Sequence, residues 1–355
     1  MAYTTIDDPS VYFNTNLYTG NGSSSHAITG VGFQPDWVWI KRRNDADSNF
    51  VYDSVRFNGS NAYWLQTNNT NAEGSDRPLT AFGSDGFTIG SNNSGLNANS
   101  STYVSWNWKA DSAVSGNTLQ GGSSSKTYAG RVNTTAGISI IKYVGNGVGG
   151  HEIPHNLSET PVFYIIKRLS NTEHWQVYHA SNTSAPQTDY LQLSTNEATV
   201  DANTRWNDTA PGTNSIVVGS HVSVNTENDN YIAYIFSQKK GYSKFGSYTG
   251  NGNADGSFVY TGFKPALVIV KKSDSEAQNW FLMDNKRNGF NGQNYNLEAD
   301  TNEAEQTNSD IDILSNGFKC RSNGNGHNTS GHGYIFMAFA EQPFVTSTGV
   351  PATAR

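Results

Sequence analysis

The sequence predicts an all-β protein built from three tandem antiparallel β-sandwich domains of roughly 100 residues each. Three observations predict it. First, the 355 residues are only 35% hydrophobic and 15% charged, yet they include 35 Gly, 18 Tyr, 17 Phe and 8 Trp. Sheets favour aromatic and β-branched residues with Gly/Asn turns, whereas helices favour Ala, Leu, Glu and Lys. Second, one ordered set of motifs occurs three times. Third, the apolar runs are short and are punctuated by Gly/Asn clusters at regular intervals.

The repeat opens with YTGNG at residues 18–22, YVGNG at 143–147 and YTGNG at 248–252. Next comes an apolar run ending in basic residues: PDWVWIKR (35–42), PVFYIIKR (161–168) and PALVIVKK (265–272). Then follow NFVYD (49–53), HWQVYH (174–179) and NWFLMD (279–284). A fourth block contains TNAE (70–73), TNEA (195–198) and TNEAE (301–305). The last ends in YVSWNW (103–108), YIAYIF (231–236) and YIFMAF (334–339). Lys41 to Lys167 is 126 residues and Tyr103 to Tyr231 is 128; the next steps are 104 and 103. Matching offsets across five blocks identify internal triplication.

Each block reads as a strand. YVSWNW alternates, with Tyr103, Ser105 and Asn107 on one face and Val104, Trp106 and Trp108 on the other. PVFYIIK is apolar throughout, as in a strand buried on both faces. The preceding proline suits a strand start, and TGNG and SNNSGLN supply positive-φ turn positions. The expected boundaries are an N-terminal docking arm (1–17), repeat one (18–110), a linker (111–136), repeat two (137–239), repeat three (240–344) and a tail (345–355). The sandwiches are expected to be of jelly-roll or lectin-like type, strung into a stiff rod.

Several function classes recede. A net charge of −7 opposes a nucleic-acid grip. The single Cys320 excludes an intrachain disulfide framework and suits a reducing cytoplasm. The N-terminal residues do not read as a secretory signal, and the apolar runs, such as 162–166, are far too short to cross a membrane.

His151-Glu152-Ile153-Pro154-His155 is a literal H-E-x-x-H, but Pro154 disfavours the helix a zincin needs, so a turn or edge strand is expected. Residues 251–256 imitate the start of an EF-hand loop, yet position twelve is Gly262, so the bidentate Glu is missing. No cofactor is expected. A structural calcium in an Asp/Asn loop, or at Asp310 and Asp312, stays an open alternative. Asp53, His179 and Asp284 are equivalent, which points to a fold-level hydrogen bond rather than to a paired-carboxylate catalyst. Lys41, Lys167 and Lys271 are read as strand-end surface charges. Cys320 is read as a small buried hydrophobe, because its sisters are Ile89 and Val218.

Aromatic residues are the remaining candidates for contact. Trp37 and Trp39 share one strand face, and Trp106 and Trp108 share another; an outward pair would mark an interaction surface. In the arm, Tyr12 and Phe13 are the expected docking side chains, inserting into a neighbour or adding a strand to its edge. A chain starting at Asn16 is therefore expected to fold but to fail in assembly.

Taken together, YTGNG, GF-x-P-x-x-V-x-I-K, the TNEAE-like block, VNTTAGISIIKYVGNG (132–147), KGYSKFGSYTGNG (240–252) and MAFAEQPF (337–344) resemble a β-repeat domain of tailed-bacteriophage structural proteins, many from marine and cyanobacterial hosts. The resemblance covers nearly the whole chain beyond the arm and brings no catalytic motif with it. It implies a non-enzymatic virion protein, a tail fibre or tail-associated part with host-surface recognition; head decoration is the alternative. It implies a location on the virion surface after synthesis in the host cytoplasm. The expected partners are other virion proteins, further copies of the chain with a trimer favoured, and a host glycan or protein, but neither nucleic acid nor membrane. A glycan depolymerase is the remote alternative, with Glu298, Asp300, Glu303 and Glu305 as its acids.

Overall fold

The structure is a computed structural model that describes residues 3–119, 125–274, 278–288, 290–292, 295–307, 311–324 and 326–353. It is all-β and antiparallel, with helical turns of three or four residues between strands. Each sequence copy contains the same run of five neighbouring strands, which lies within an eight-stranded sheet in copies one and two and forms the whole sheet in copy three. In copy one the order is Phe13–Thr19, Thr102–Trp108, Trp37–Arg42, Phe50–Asp53, Ala62–Gln66. Copy two repeats it with Ile138–Val144, Asn230–Phe236, Phe163–Arg168, Gln176–His179 and Asp189–Gln192. Copy three repeats it with Ser243–Thr249, Gly333–Pro343, Phe263–Lys272, Trp280–Asp284 and Leu297–Glu298.

The period-two alternation of a strand decides what each face meets. Val38 and Ile40 point to one side, where Ile28, Phe87 and Ile89 of a shorter strand pair close a core private to copy one. Copies two and three build equivalent private cores around Ile166 and Ile216, and around Val268 and Phe318. Trp37 and Trp39 point to the other side, into a core common to all three copies. Phe163, Ile165 and Trp175 enter it from copy two, and Leu267, Ile269 and Trp280 from copy three. The strands read as apolar throughout because both of their faces are covered.

This common core corrects the rod. Three sheets that each carry a second apolar face cannot stand in a row without exposing those faces, so they close around one another. Equivalent contacts link each copy to the next in a single rotational sense. Glu173 N donates to Thr70 O at 2.9 Å, Gln278 N to Asn196 O at 2.9 Å, and Asp47 N to Asn302 O at 2.8 Å. Trp175 Nε1 donates to Gln66 O (2.8 Å) and Trp280 Nε1 to Gln192 O (3.0 Å). Copy one has Asn49 where its sisters have tryptophan. Asn49 Nδ2 still donates to the equivalent Glu298 O (2.9 Å), and Trp39 fills the space by donating to Asn49 Oδ1 (3.2 Å). The three copies thus form a closed ring with pseudo-threefold character.

The four tryptophans offered as an outward contact surface are corrected by the same geometry. Trp37, Trp39, Trp106 and Trp108 are all within 1% of full burial. The arm is corrected as well. Phe13 begins the sheet of copy one and stacks on Phe339 at 5.2 Å, Tyr12 packs edge-on against Tyr242 at 6.1 Å, and Ile6 is buried. Tyr3 donates to Gly262 O (2.7 Å) and Thr4 to Lys240 O (2.8 Å). The arm therefore folds onto copy three of its own chain, because that is where apolar surface is left for it to cover. The linker is also more than a spacer: Ser112–Asn117 and Thr127–Asn133 add two strands to the edge of copy two.

Candidate functional site

The pairing registers place both kinds of repeated polar motif at one end of the ring: the YTGNG loops and the lysines that close the second strands. The arm, the links between copies and the tail lie at the other end. The loop end is the candidate site, because the polar residues of the sequence pattern converge there.

Each YTGNG loop is locked to the helical turn that precedes the last strand. The buried Asn97, Asn225 and Asn328 accept from the backbone N–H of Asn21, Asn146 and Asn251 at 3.0, 2.8 and 3.0 Å. Their amide groups donate back to the same asparagines' side chains at 3.0, 3.1 and 3.0 Å. Tyr18, Tyr143 and Tyr248 stack on Tyr103, Tyr231 and Tyr334 at 4.9, 5.2 and 5.1 Å. Their hydroxyls donate to Leu96 O, Val224 O and His327 O. The first glycine admits no side chain: a Cβ on Gly20, Gly145 or Gly250 would sit 2.2 or 2.3 Å from a backbone carbonyl oxygen. The second, at Gly22, Gly147 and Gly252, has φ near +70°. The motif is a loop lock.

The three lysines are corrected. Lys41, Lys167 and Lys271 share the inward face of Trp39, Ile165 and Ile269, and each is fully buried. Each ammonium donates to the carbonyl of the following residue and to a carbonyl of the neighbouring copy: Lys41 to Asn302 O (3.3 Å), Lys167 to Thr70 O (3.2 Å), Lys271 to Asn196 O (3.1 Å). Burial pushes them down to about 8, 7 and 8, while the nearby carboxylates of Asp47, Glu173 and Asp300 respectively favour the charged form. They cap the common core and close the ring.

Asp53, His179 and Asp284 also bind the next copy, as a fold-level role requires. Tyr234 OH donates to Asp53 Oδ2 (2.7 Å), His179 Nε2 to Phe336 O (3.1 Å), and Trp106 Nε1 to Asp284 Oδ2 (3.1 Å). Buried arginines neutralise the two carboxylates: Arg56 Nε lies 2.7 Å from Asp53 and Arg287 Nε 2.6 Å from Asp284. His179 is pushed down to about 4 by burial, so copy two holds a neutral group there.

The remaining candidates are also placed. His151–Pro154 is a strand paired with Ser215–Val218; His151 Nδ1 donates to Asn225 Oδ1 (3.1 Å) and His155 Nε2 to Gly212 O (3.2 Å). Residues four apart on an extended chain are separated by about 13 Å, so the two histidines do not form the helical metal-binding face of a zincin. Asp255 of the EF-like loop is engaged by Lys319 (2.5 Å) and Arg321 (3.7 Å). Asp312 pairs with Arg321 at 3.3 Å, while Asp310 lies outside the described residues. Cys320 is buried, like Ile89 and Val218, and burial pushes its thiol up to about 11. Among the four acids, Glu305 bridges Arg43 (2.8 Å) and Arg287 (3.1 Å). Glu298 accepts from Thr301 (2.9 Å) and Asp300 from Trp280 N (2.9 Å). Asp300 is pushed up to about 7 by burial, with the Glu298 charge adding to it. Its sisters Asn68 and Ser194 accept from the equivalent N–H groups of Asn49 and Trp175, so its role is again structural.

Sequence reading missed the buried lysines and the ring contacts. The available signal was the parity of Lys41 with Trp37 and Trp39, which puts all three on one strand face. No curated protein and no solved structure matches the chain. One family model spans all three copies, matching residues 8–343, and the chain belongs to that family, a domain of unknown function designated DUF7483.

Proposed function

We propose that this chain is a non-enzymatic structural protein of a bacteriophage virion, tail-associated and exposed to the host surface. One observation carries the reading: the polar residues repeated in all three copies are engaged in locking loops and closing the ring. A scaffold organised this way holds a shape. The motif resemblance to phage β-repeat proteins supplies the setting, with other virion proteins as partners and a host glycan or protein as the contact at the loop end. We read each copy as a lectin-like sandwich that has joined its sisters.

Head decoration is the second reading. It is favoured by the closed ring, which gathers the arm, the links and the tail at one end and so suits a knob seated on a surface better than a segment of a fibre. The ring also brings three β-units together within one chain, so the proposed role does not require trimerisation.

Particle imaging tests both readings. Density for the ring on tail appendages supports the first, and density on capsomers supports the second. Absence of the chain from purified particles overturns both. A reducing-sugar assay on host polysaccharide provides the enzymatic check, since measurable turnover would reject a purely structural role.

A further inference from the structure

The three sheets begin with equivalent strands, and the outer edges of those strands differ in what covers them. The bonds Lys109 N to Tyr12 O and Gly20 N to Ser101 O fix which residues of Phe13–Thr19 face the neighbouring strand. Residues 13, 15, 17 and 19 direct their N–H and C=O groups outward. The equivalent outward residues of copy two, 138, 140, 142 and 144, are paired with Thr127–Asn133 of the linker hairpin. There the hairpin lies in a groove against Ser54 and Val55 of copy one, and Arg131 reaches the buried Asp36 at 3.5 Å. The corresponding groove in copy one lies between Ser10, Phe13 and Asn14 on one side and the copy-three residues Ala266, Asn285, Lys286, Ala340 and Glu341 on the other. No described strand fills it.

Two features of this groove point to a missing strand. Asn285 is 1% exposed, and neither its amide nitrogen nor its amide oxygen has a partner among the described residues. An amide with both groups unmatched is costly when buried, and it suits one N–H and one C=O of an extended backbone. Lys286 is exposed and has no ion pair among the described residues, whereas Glu341 is neutralised by Lys264 at 3.3 Å. Where the filled groove offers a carboxylate to Arg131, this one offers an ammonium.

We infer that the groove between Phe13–Thr19 and Asn285–Lys286 receives one extended strand of a partner protein. That strand adds antiparallel to the free edge, pairs its backbone with the Asn285 amide and places a carboxylate against Lys286. The inference goes beyond the proposed virion role and stands independently of it.

The probe is an acetylated peptide of residues 126–136 of this chain carrying Arg131→Glu, titrated into the full chain by fluorescence anisotropy. Saturable binding is expected, with the unmodified peptide at least fivefold weaker. Asn285→Ala should weaken binding about tenfold. Leu17→Pro removes an outward N–H without touching the inner ladder and should abolish binding. Lys286→Glu, at an exposed site, should reverse the preference between the two peptides and keeps the test decisive if Leu17→Pro misfolds. The inference is overturned by absence of saturable binding, or by a peptide preference unchanged in Lys286→Glu. It is equally overturned by self-association of the chain that disappears in Leu17→Pro, because a second copy would then own the edge.

Discussion

Copies one and three solve one packing problem with charge, and copy two solves it without. In copy one, Asp53, Arg56 and Glu73 form a buried chain of ion pairs at 2.7 and 3.2 Å. In copy three, Asp284, Arg287 and Glu305 do the same at 2.6 and 3.1 Å. In copy two the three positions are His179, Asn182 and Thr199, and Thr199 donates to Asn182 at 2.8 Å. All three positions differ from those of the other two copies. A buried arginine without its carboxylate would be an uncompensated charge, so a partial exchange costs more than either complete set. The comparison teaches that these residues work as a unit in closing the ring.

The most severe way to break the comparison is to remove the ring. Residues 240–344 alone would expose Phe245, Leu267, Ile269, Trp280, Leu282, Met337 and Phe339 to water. At roughly 1.5–3 kcal/mol for each large side chain, that loss exceeds the stability of a typical small domain. The fragment is expected to be unfolded or aggregated by circular dichroism; a cooperative thermal transition would show that each copy stands alone. Deleting residues 1–15 removes Ile6 and Phe13 from the common core and should cost roughly 4–8 kcal/mol, read from urea unfolding.

The charged and neutral sets can then be compared directly. Arg287→Ala strands the buried Asp284 and should cost about 3–5 kcal/mol in chemical denaturation. Asn182→Ala at the matching place should cost about 1 kcal/mol, because only one neutral hydrogen bond is lost. Equal losses would refute the view that the charged set acts as a unit.

Asp300 offers the smallest and most specific test. Its carboxyl titrates near 7 in the folded chain, above the ordinary carboxylate value, because burial disfavours the ion. Between about pH 4 and 7 the folded state holds the proton that the unfolded state has released, so this group lowers stability as pH rises through that window. Asp300→Asn, the residue that copy one has at Asn68, should therefore stabilise the protein by ~1–3 kcal/mol at pH 8 and by much less at pH 4. A Tm difference that does not change with pH would contradict the assigned protonation.

Much of the fold was legible because the repeat displays its own constraints three times. The strands at 37–42, 163–168 and 263–272 were readable from the apolar runs ending in basic residues at 35–42, 161–168 and 265–272, and the loop lock from the recurrence of Gly-Asn-Gly with a tyrosine before it. The equivalence of Asp53, His179 and Asp284 pointed to a fold-level hydrogen bond, and each of the three makes one to the next copy. The inward lysines were misread because a charge at a strand end is ordinarily solvated; here carbonyl oxygens of the strand end and of the next copy together make burial tolerable. The tryptophans were misread for a related reason, since period two shows that Trp37 and Trp39 share a face but not what that face meets.

Local sequence settled where strands run, where the chain turns and which residues lie on the same side of a sheet. Those properties depend on backbone sterics and side-chain alternation within a few residues. The assembly of the copies was decided in three dimensions, where three apolar faces could leave water only by covering one another. That choice turned a linear triplication into a ring, drew the arm inward and left the edge beside Asn285 open.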